Sequence, residues 1–354
     1  MGIGICVISE KGTLKLKKSV LITGANGEIG HGLINHLADL DDIEIVALDL
    51  NPLDKHLAKK CTVAMVGDIL KKDLLENLST AYNFEIIYHL AALLSTRAER
   101  EPPLAHHVNV DGTLNLLEIA ITQSRLQGRE IKFLYPSSIA VYGLPDLGFK
   151  NTIKAVGESE WCQPRTMYGI NKLYCEQLGN YYTRFYRQLD AQSSPGRIDF
   201  RCLRFPGLIS AVTLPAGGTS DYASEMIHYA AQGKPYSCFV RDDTRIPFMA
   251  MPDAIQAILT LEAVPRERLS RQVYNVAAFN PSAGELYALV HEAFPKADVS
   301  FVSDLKRQTI VDSWPANVDT SASHNDWNWK PAFSLDRAFG EYLLPAVRER
   351  YHTS

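Results

Sequence analysis

The chain has 354 residues, 46% hydrophobic and 21% charged, proportions of a folded globular protein that exclude disorder as the main state. Its formal net charge is −4, which excludes a global attraction for nucleic acid or an anionic membrane. The uncharged stretch 205–220 is broken by Pro206, Gly207, Pro215, Gly217 and Gly218, so it cannot supply a spanning helix of about 20 apolar residues.

At the amino terminus an apolar run precedes the first charges (MGIGICVISEKG), the reverse of a secretory signal. Short apolar runs then predict strands at 19–23 (SVLIT), 43–49 (IEIVALD), 61–67 (CTVAMVG), 86–90 (IIYHL) and 131–137 (IKFLYPS). A helix is expected from the glycines after the first run to residue 40. Val110, Leu114, Leu117 and Ile121 recur at helical spacing over 108–123. A further helix is expected over 167–186 and a sixth strand over 199–205. Beyond residue 206 prolines and glycines are denser. Short strands (236–240, 273–276, 299–302) alternate there with helices (223–232, 252–261, 284–294, 335–344). Strands alternating with helices imply parallel pairing and a doubly wound α/β sheet. The six cysteines, at 6, 61, 162, 175, 202 and 238, form no CxxC pair and are read as reduced thiols of a cytoplasmic protein. No metal site is expected: the adjacent His106 and His107 point to different faces of a helix.

Gly24-Ala-Asn26-Gly27-Glu28-Ile29-Gly30 follows the first strand and opens a helix. Glycine suits a tight turn where backbone must approach a pyrophosphate closely, and helix N-terminal amides favour the anion. Asp49 ends the second strand, 19 residues after Gly30. A carboxylate there accepts from ribose hydroxyls and repels a 2′-phosphate, so NAD is expected rather than NADP; alternatively Asp49 caps the turn that follows. Asp68, ending the third strand, is open to two readings, adenine contact or a local cap. The chain is therefore read as a Rossmann-type NAD-binding domain over 18–205, its sheet completed by later segments, and a smaller, mainly substrate-binding α/β cap over 206–350.

Tyr168 and Lys172 lie four apart on a predicted helix, on one face and one turn apart. An ammonium there favours phenolate, and a Tyr so tuned takes a proton from an alcohol as hydride leaves the same carbon. Ser138, ending the fifth strand, is placed to hold the substrate oxygen.

These motifs, with His89-Leu90-Ala91-Ala92, Asn109-Val-Asp-Gly-Thr113 and Ser137-Ser-Ile-Ala-Val-Tyr-Gly143, occur in order. The chain resembles the extended short-chain dehydrogenases/reductases, the NAD-dependent epimerase/dehydratase family, from about Lys18 to Tyr342. The resemblance implies Ser138, Tyr168 and Lys172 as the catalytic set, Lys172 also serving the nicotinamide ribose. It implies cofactor contacts at Gly24, Asn26, Gly27, Glu28, Ile29, Gly30, Asp49, Asp68, Ile69, Leu90, Ala91, Ala92, Asn109 and Pro206. It further implies a homodimer through the helices at 108–123 and 167–186, whose Ile119, Leu173 and Tyr181 a monomer would leave wet.

The second half is similar to the short-chain-type L-threonine 3-dehydrogenase branch, in LRFPGLIS (203–210), GGTSDYA (217–223), PFMAMPD (247–253) and DSWP (312–315). Sugar-nucleotide epimerases usually carry an Asn where this chain has Pro206–Gly207. The resemblance implies oxidation of a small hydroxy amino acid, with substrate contacts at Ser95, Ser138, Tyr168, Gly218, Thr219, Ser220 and Trp314. None of the groups added to the catalytic set is charged. His324 and Asn328 depart from the branch, which has Arg and Gly there. The alternatives are an epimerase or dehydratase acting on a sugar or sugar nucleotide, and a non-catalytic NAD-binding regulator. The intact catalytic set speaks against the regulator.

Overall fold

The apolar runs become strands of one seven-stranded sheet. These are β1 (Lys18–Thr23), β2 (Ile43–Asp49), β3 (Val63–Val66), β4 (Phe84–His89), β5 (Ile131–Ser138), β6 (Ile198–Phe205) and β7 (Val273–Asn275). Their order is β7-β6-β5-β4-β1-β2-β3, and the pairings from β5 through β4, β1 and β2 to β3 are parallel. β6 is buried at every position and β1 at all but the first, as parallel strands covered on both faces require. β3, at the edge, alternates half-buried and exposed residues and is shorter than its apolar run. The computed structural model describes residues 7–8, 14–15, 18–189, 196–211 and 218–352. Cys6, Pro215 and Gly217, on which expectations above fall, lie outside them.

The chain divides into two compact units that interleave along the sequence. One comprises Met1–Leu93, Pro103–Pro136 and Tyr174–Cys202; the other comprises Leu94–Pro102, Ser137–Leu173 and Leu203–Ser354. In the first, α1 (Glu28–Leu37) buries Gly30, Leu33, Ile34 and Leu37, an i, i+3, i+4, i+7 stripe. The helix expected at 108–123 is α2 (Gly112–Gln127), reached through a helical turn Pro102–His106 and a π-turn His107–Asp111. Ile119 is buried at 8% exposure, which corrects its place on an exposed face. α2 is covered on more than one face, burying Leu116 and Ala120 as well as Leu117 and Ile121, so Ile119 is covered too. α3 (Met167–Arg184) begins where expected.

The second unit has its own apolar core, which includes Tyr222, Phe248, Trp314 and Val347. Gly207–Ile209 pairs in parallel with Phe248–Ala250, and Tyr236–Cys238 with Val299–Phe301. The helix expected at 335–344 is a short turn, a π-turn Ala338–Leu343 and a last helix Leu344–His352. Asn328 caps the helix Ser321–Trp327 in left-handed backbone at φ 56°. Asn is the usual replacement for Gly in that conformation, so this departure from the branch is a matter of capping. His324 lies exposed on the same helix. Among the described residues no helix is long and apolar enough to cross a membrane.

Beneath the DSWP segment, Lys150 is buried and donates to the Val311 carbonyl at 2.9 Å. Burial pushes its ammonium down to about 8; Asp312 opposes that shift and Arg241 adds to it. Between that value and the ordinary lysine range the unfolded chain binds more protons than the folded one, so stability rises with pH there. Relative to Lys150→Met, the wild type should gain on the order of 1 kcal/mol per pH unit above about pH 8. Denaturant titrations of both proteins at two alkaline pH values check this.

Candidate active site

In the first unit the glycine turn is defined by backbone contacts. Gly24 has φ +68°, and a Cβ there would lie 2.5 Å from the Ala91 backbone nitrogen. Only glycine satisfies both demands. Gly27 begins α1 with no side chain capping it, and Gly30 lies against the Ala25 carbonyl. Asp49 uses both oxygens: one accepts from Asn26 N–H at 3.0 Å, the other from Asn51 N–H at 2.9 Å. It thus both caps its own turn and braces the glycine turn. Asp68 accepts from Leu70 N–H at 2.9 Å, and Ile69 packs against Gly112.

A buried polar chain, whose linkage the sequence does not reveal, supports the loop after β4. Thr23 Oγ1 meets His89 Nδ1 at 2.8 Å, and His89 Nε2 meets Thr113 Oγ1 at 2.9 Å. Thr113 Oγ1 donates to the Asn109 carbonyl at 2.6 Å. Asn109 then clamps Leu93 with both ends of its amide, at 2.7 and 3.1 Å. The Thr23 carbonyl, which accepts from Leu90 N–H at 3.0 Å, and Asn109 together hold the backbone of Leu90–Leu93 in place. A glycine cradle that a Cβ would fill, an uncapped helix terminus and a strand-end carboxylate together fit a dinucleotide.

In the second unit Ser138, Tyr168 and Lys172 come together. A Cβ on Gly169 would lie 2.0 Å from the Ala140 carbonyl oxygen. Glycine here lets α3 lie against the turn after Ser138. The Ser138 hydroxyl is hydrogen-bonded to the Tyr168 phenol, and Lys172 Nζ sits 5.5 Å from the Tyr168 ring centroid. Burial pushes the Tyr168 phenol up, and the Ser138 hydrogen bond opposes the shift. This differs from the lowering expected of Lys172, because removing the phenolate anion from water outweighs the opposing hydrogen bond.

Ser95 and Thr219, 124 residues apart, are hydrogen-bonded and buried. Ser95 Oγ accepts from the Thr219 hydroxyl at 3.0 Å and from its N–H at 3.3 Å. Gly218 N–H donates to Asp221 at 2.6 Å, and its carbonyl accepts from Arg307 at 2.7 Å. The guanidinium also stacks on Phe239, 3.2 Å from the ring centroid. Sequence reading supplied no charge here; Arg307, five residues before DSWP, supplies one. Ser220 is half-buried in the adjoining turn. Pro206 is buried directly after β6. Trp314 is 4% exposed and packed in the core. Among the described residues no group of three His, Cys, Asp or Glu side chains is arranged to hold a metal.

The family model for the NAD dependent epimerase/dehydratase family matches residues 20–277. A mitochondrial L-threonine 3-dehydrogenase of Bos taurus is 33% identical, over 90% of this chain and 80% of that protein. An uncharacterised epimerase/dehydratase of Staphylococcus haemolyticus is also 33% identical, over 94% of this chain and 98% of that protein. Among solved structures, a monomeric L-threonine 3-dehydrogenase of metagenomic origin, in apo form, superposes with TM-score 0.81 at 33% identity. That match covers 94% of this chain and 99% of the other.

Gly24→Ala should add about 1–2 kcal/mol of left-handed strain and a backbone clash beside the turn. We expect NAD affinity to fall at least about 10-fold by calorimetry. Gly128 has the same φ and open space around it, so Gly128→Ala should lower stability alone.

Proposed function

The chain belongs to the NAD dependent epimerase/dehydratase family and is an NAD-dependent enzyme, and we propose that it oxidises the β-hydroxyl of a small hydroxy amino acid, L-threonine, to 2-amino-3-ketobutyrate. The observation that carries the proposal is the grouping of Ser138, Tyr168 and Lys172 in the same unit as the buried Ser95–Thr219 pair.

The first unit contributes the glycine turn, Asp49 and the clamped Leu90–Leu93 backbone as its part of dinucleotide binding. NAD, when bound, supplies the hydride acceptor. Tyr168 takes the hydroxyl proton, Ser138 holds the same oxygen, and Lys172 favours the phenolate and serves the ribose. With a phenol raised by burial, that base works best when positive charge is near. With both Ser95 lone pairs engaged by Thr219, the Ser95 O–H remains to donate to an acceptor. A carboxylate oxygen fits that donor. Pro206–Gly207, in place of the Asn of sugar-nucleotide epimerases, speaks for the amino acid reading.

We further propose a homodimer: Leu114 on α2 and Tyr174 and Tyr181 on α3 are exposed, and pairing would cover them. Sedimentation tests this. Among the described residues Cys61, Cys162, Cys175, Cys202 and Cys238 are not disulfide-bonded, in keeping with the reducing compartment we propose, the cytoplasm.

NADH should form with L-threonine, and much less with D-threonine or 2-butanol. Tyr168→Phe should lower turnover by at least about 10² while keeping NAD affinity. Thr219→Val should raise the Michaelis constant for L-threonine and leave that for NAD unchanged. Hydride-dependent turnover of a sugar nucleotide, without NADH from L-threonine, would favour the epimerase reading. Asp49→Ala should weaken NAD binding and narrow its preference over NADP, measured by titration.

A further inference from the structure

The short helix Ser95–Arg100 carries two side chains that reach other elements of the same unit. Ser95 accepts from Thr219 through both its N–H and its hydroxyl. Glu99, one helical turn later and on the same face, accepts the Met167 N–H with a carboxylate oxygen at 2.6 Å. Met167 is the first residue of α3 and adjoins Tyr168.

The first amides of a helix have no intrahelical partner. Here two of them are satisfied by side chains from outside the helix. The Thr166 hydroxyl accepts from Gly169 N–H at 3.1 Å, and Glu99, 68 residues away in sequence, takes that of Met167. The Thr166 bond is local and fixes the turn. The Glu99 bond is tertiary and fixes the helix start relative to the element that bears Ser95. A carboxylate at a helix N-terminus is also favoured electrostatically. Ala98, between the two, is fully buried and anchors the short helix, while Glu99 itself is exposed, where an acid has no need of a partner.

We propose that Glu99 is a positioning residue for Tyr168, and that the helix Ser95–Arg100 is a bracket fixing the phenol relative to the Ser95–Thr219 hydroxyl pair. The proposal rests on Tyr168 as the base and assigns Glu99 no contact with substrate or cofactor. Its physical content is distance. Proton transfer needs heavy atoms within hydrogen-bond reach, and a displacement of a fraction of an ångström at the helix start moves the phenol out of it. Gln keeps an oxygen acceptor at the same reach as Glu; Ala removes it; Asp is one methylene too short.

The test uses the full-length wild type, E99A, E99D, E99Q and Tyr168→Phe. Initial rates are measured with L-threonine and NAD, and amide hydrogen exchange is read at Met167. E99A and E99D should lose about 10-fold in kcat, with the Michaelis constant for NAD and the melting temperature held. E99Q should stay within about 2-fold of wild type. Protection of the Met167 amide should be present in wild type and E99Q and lost in E99A. A wild-type kcat in E99A, an E99Q as slow as E99A, or unchanged exchange would overturn the bracket. Loss of protection in E99A alongside an active Tyr168→Phe enzyme would instead overturn Tyr168 as the base.

Discussion

Parallel pairing is the constraint on which the rest of this structure depends. Because β1, β2, β4 and β5 run the same way, they end toward one side of the sheet. Thr23, Asp49 and His89 are the residues at the ends of β1, β2 and β4. The glycine turn follows the first of them, and its left-handed residue lies against the backbone just beyond the third. A side chain on Gly24 would push the two loops apart. The Thr23–His89–Thr113–Asn109 chain then ties those loops to α2 through buried polar groups, each with a partner. Buried polar groups are costly when unpaired, so such a chain fixes one arrangement of the loops.

The chemistry at Tyr168 follows from a conflict between burial and charge. Burial raises the phenol and so holds the proton. The same burial strengthens the hydrogen bond with Ser138, which opposes the shift. In the proposed reaction such a base would act only once positive charge approaches. The substrate side follows a related logic. Ser95 and Thr219 satisfy each other and leave one hydroxyl proton to give. In the proposed reading a ligand without an acceptor there would leave that proton unpaired, and the penalty would discriminate between similar small molecules.

Much of this was legible in the sequence, for local reasons. Strand β2 coincides with its apolar run residue for residue, and β1 and β5 differ by one residue at one end, because doubly covered parallel strands are continuously apolar. The glycine turn, the Tyr168–Lys172 spacing and Ser138 are short motifs whose geometry is set by neighbours in the chain. What the sequence hid depends on contacts between distant residues. Ile119 is buried because α2 is covered on more than one face, which apolar spacing within the helix does not show. Arg307 and Lys150 read as ordinary helix surface charges until the fold stacks one on Phe239 and buries the other under Val311. Glu99 sits in an unremarkable charged run, TRAERE, and only the tertiary bond to Met167 distinguishes it. The departure from the branch at Asn328 is a change of helix cap.

The central claim is that hydride leaves the β-carbon of a hydroxy amino acid for NAD. L-Threonine carrying deuterium at that carbon, incubated with the enzyme and NAD, tests it most directly. The account predicts that the reduced dinucleotide gains one deuterium by mass spectrometry. Recovery of the dinucleotide without deuterium, while the enzyme turns over a hydroxylated substrate of another class, would contradict it.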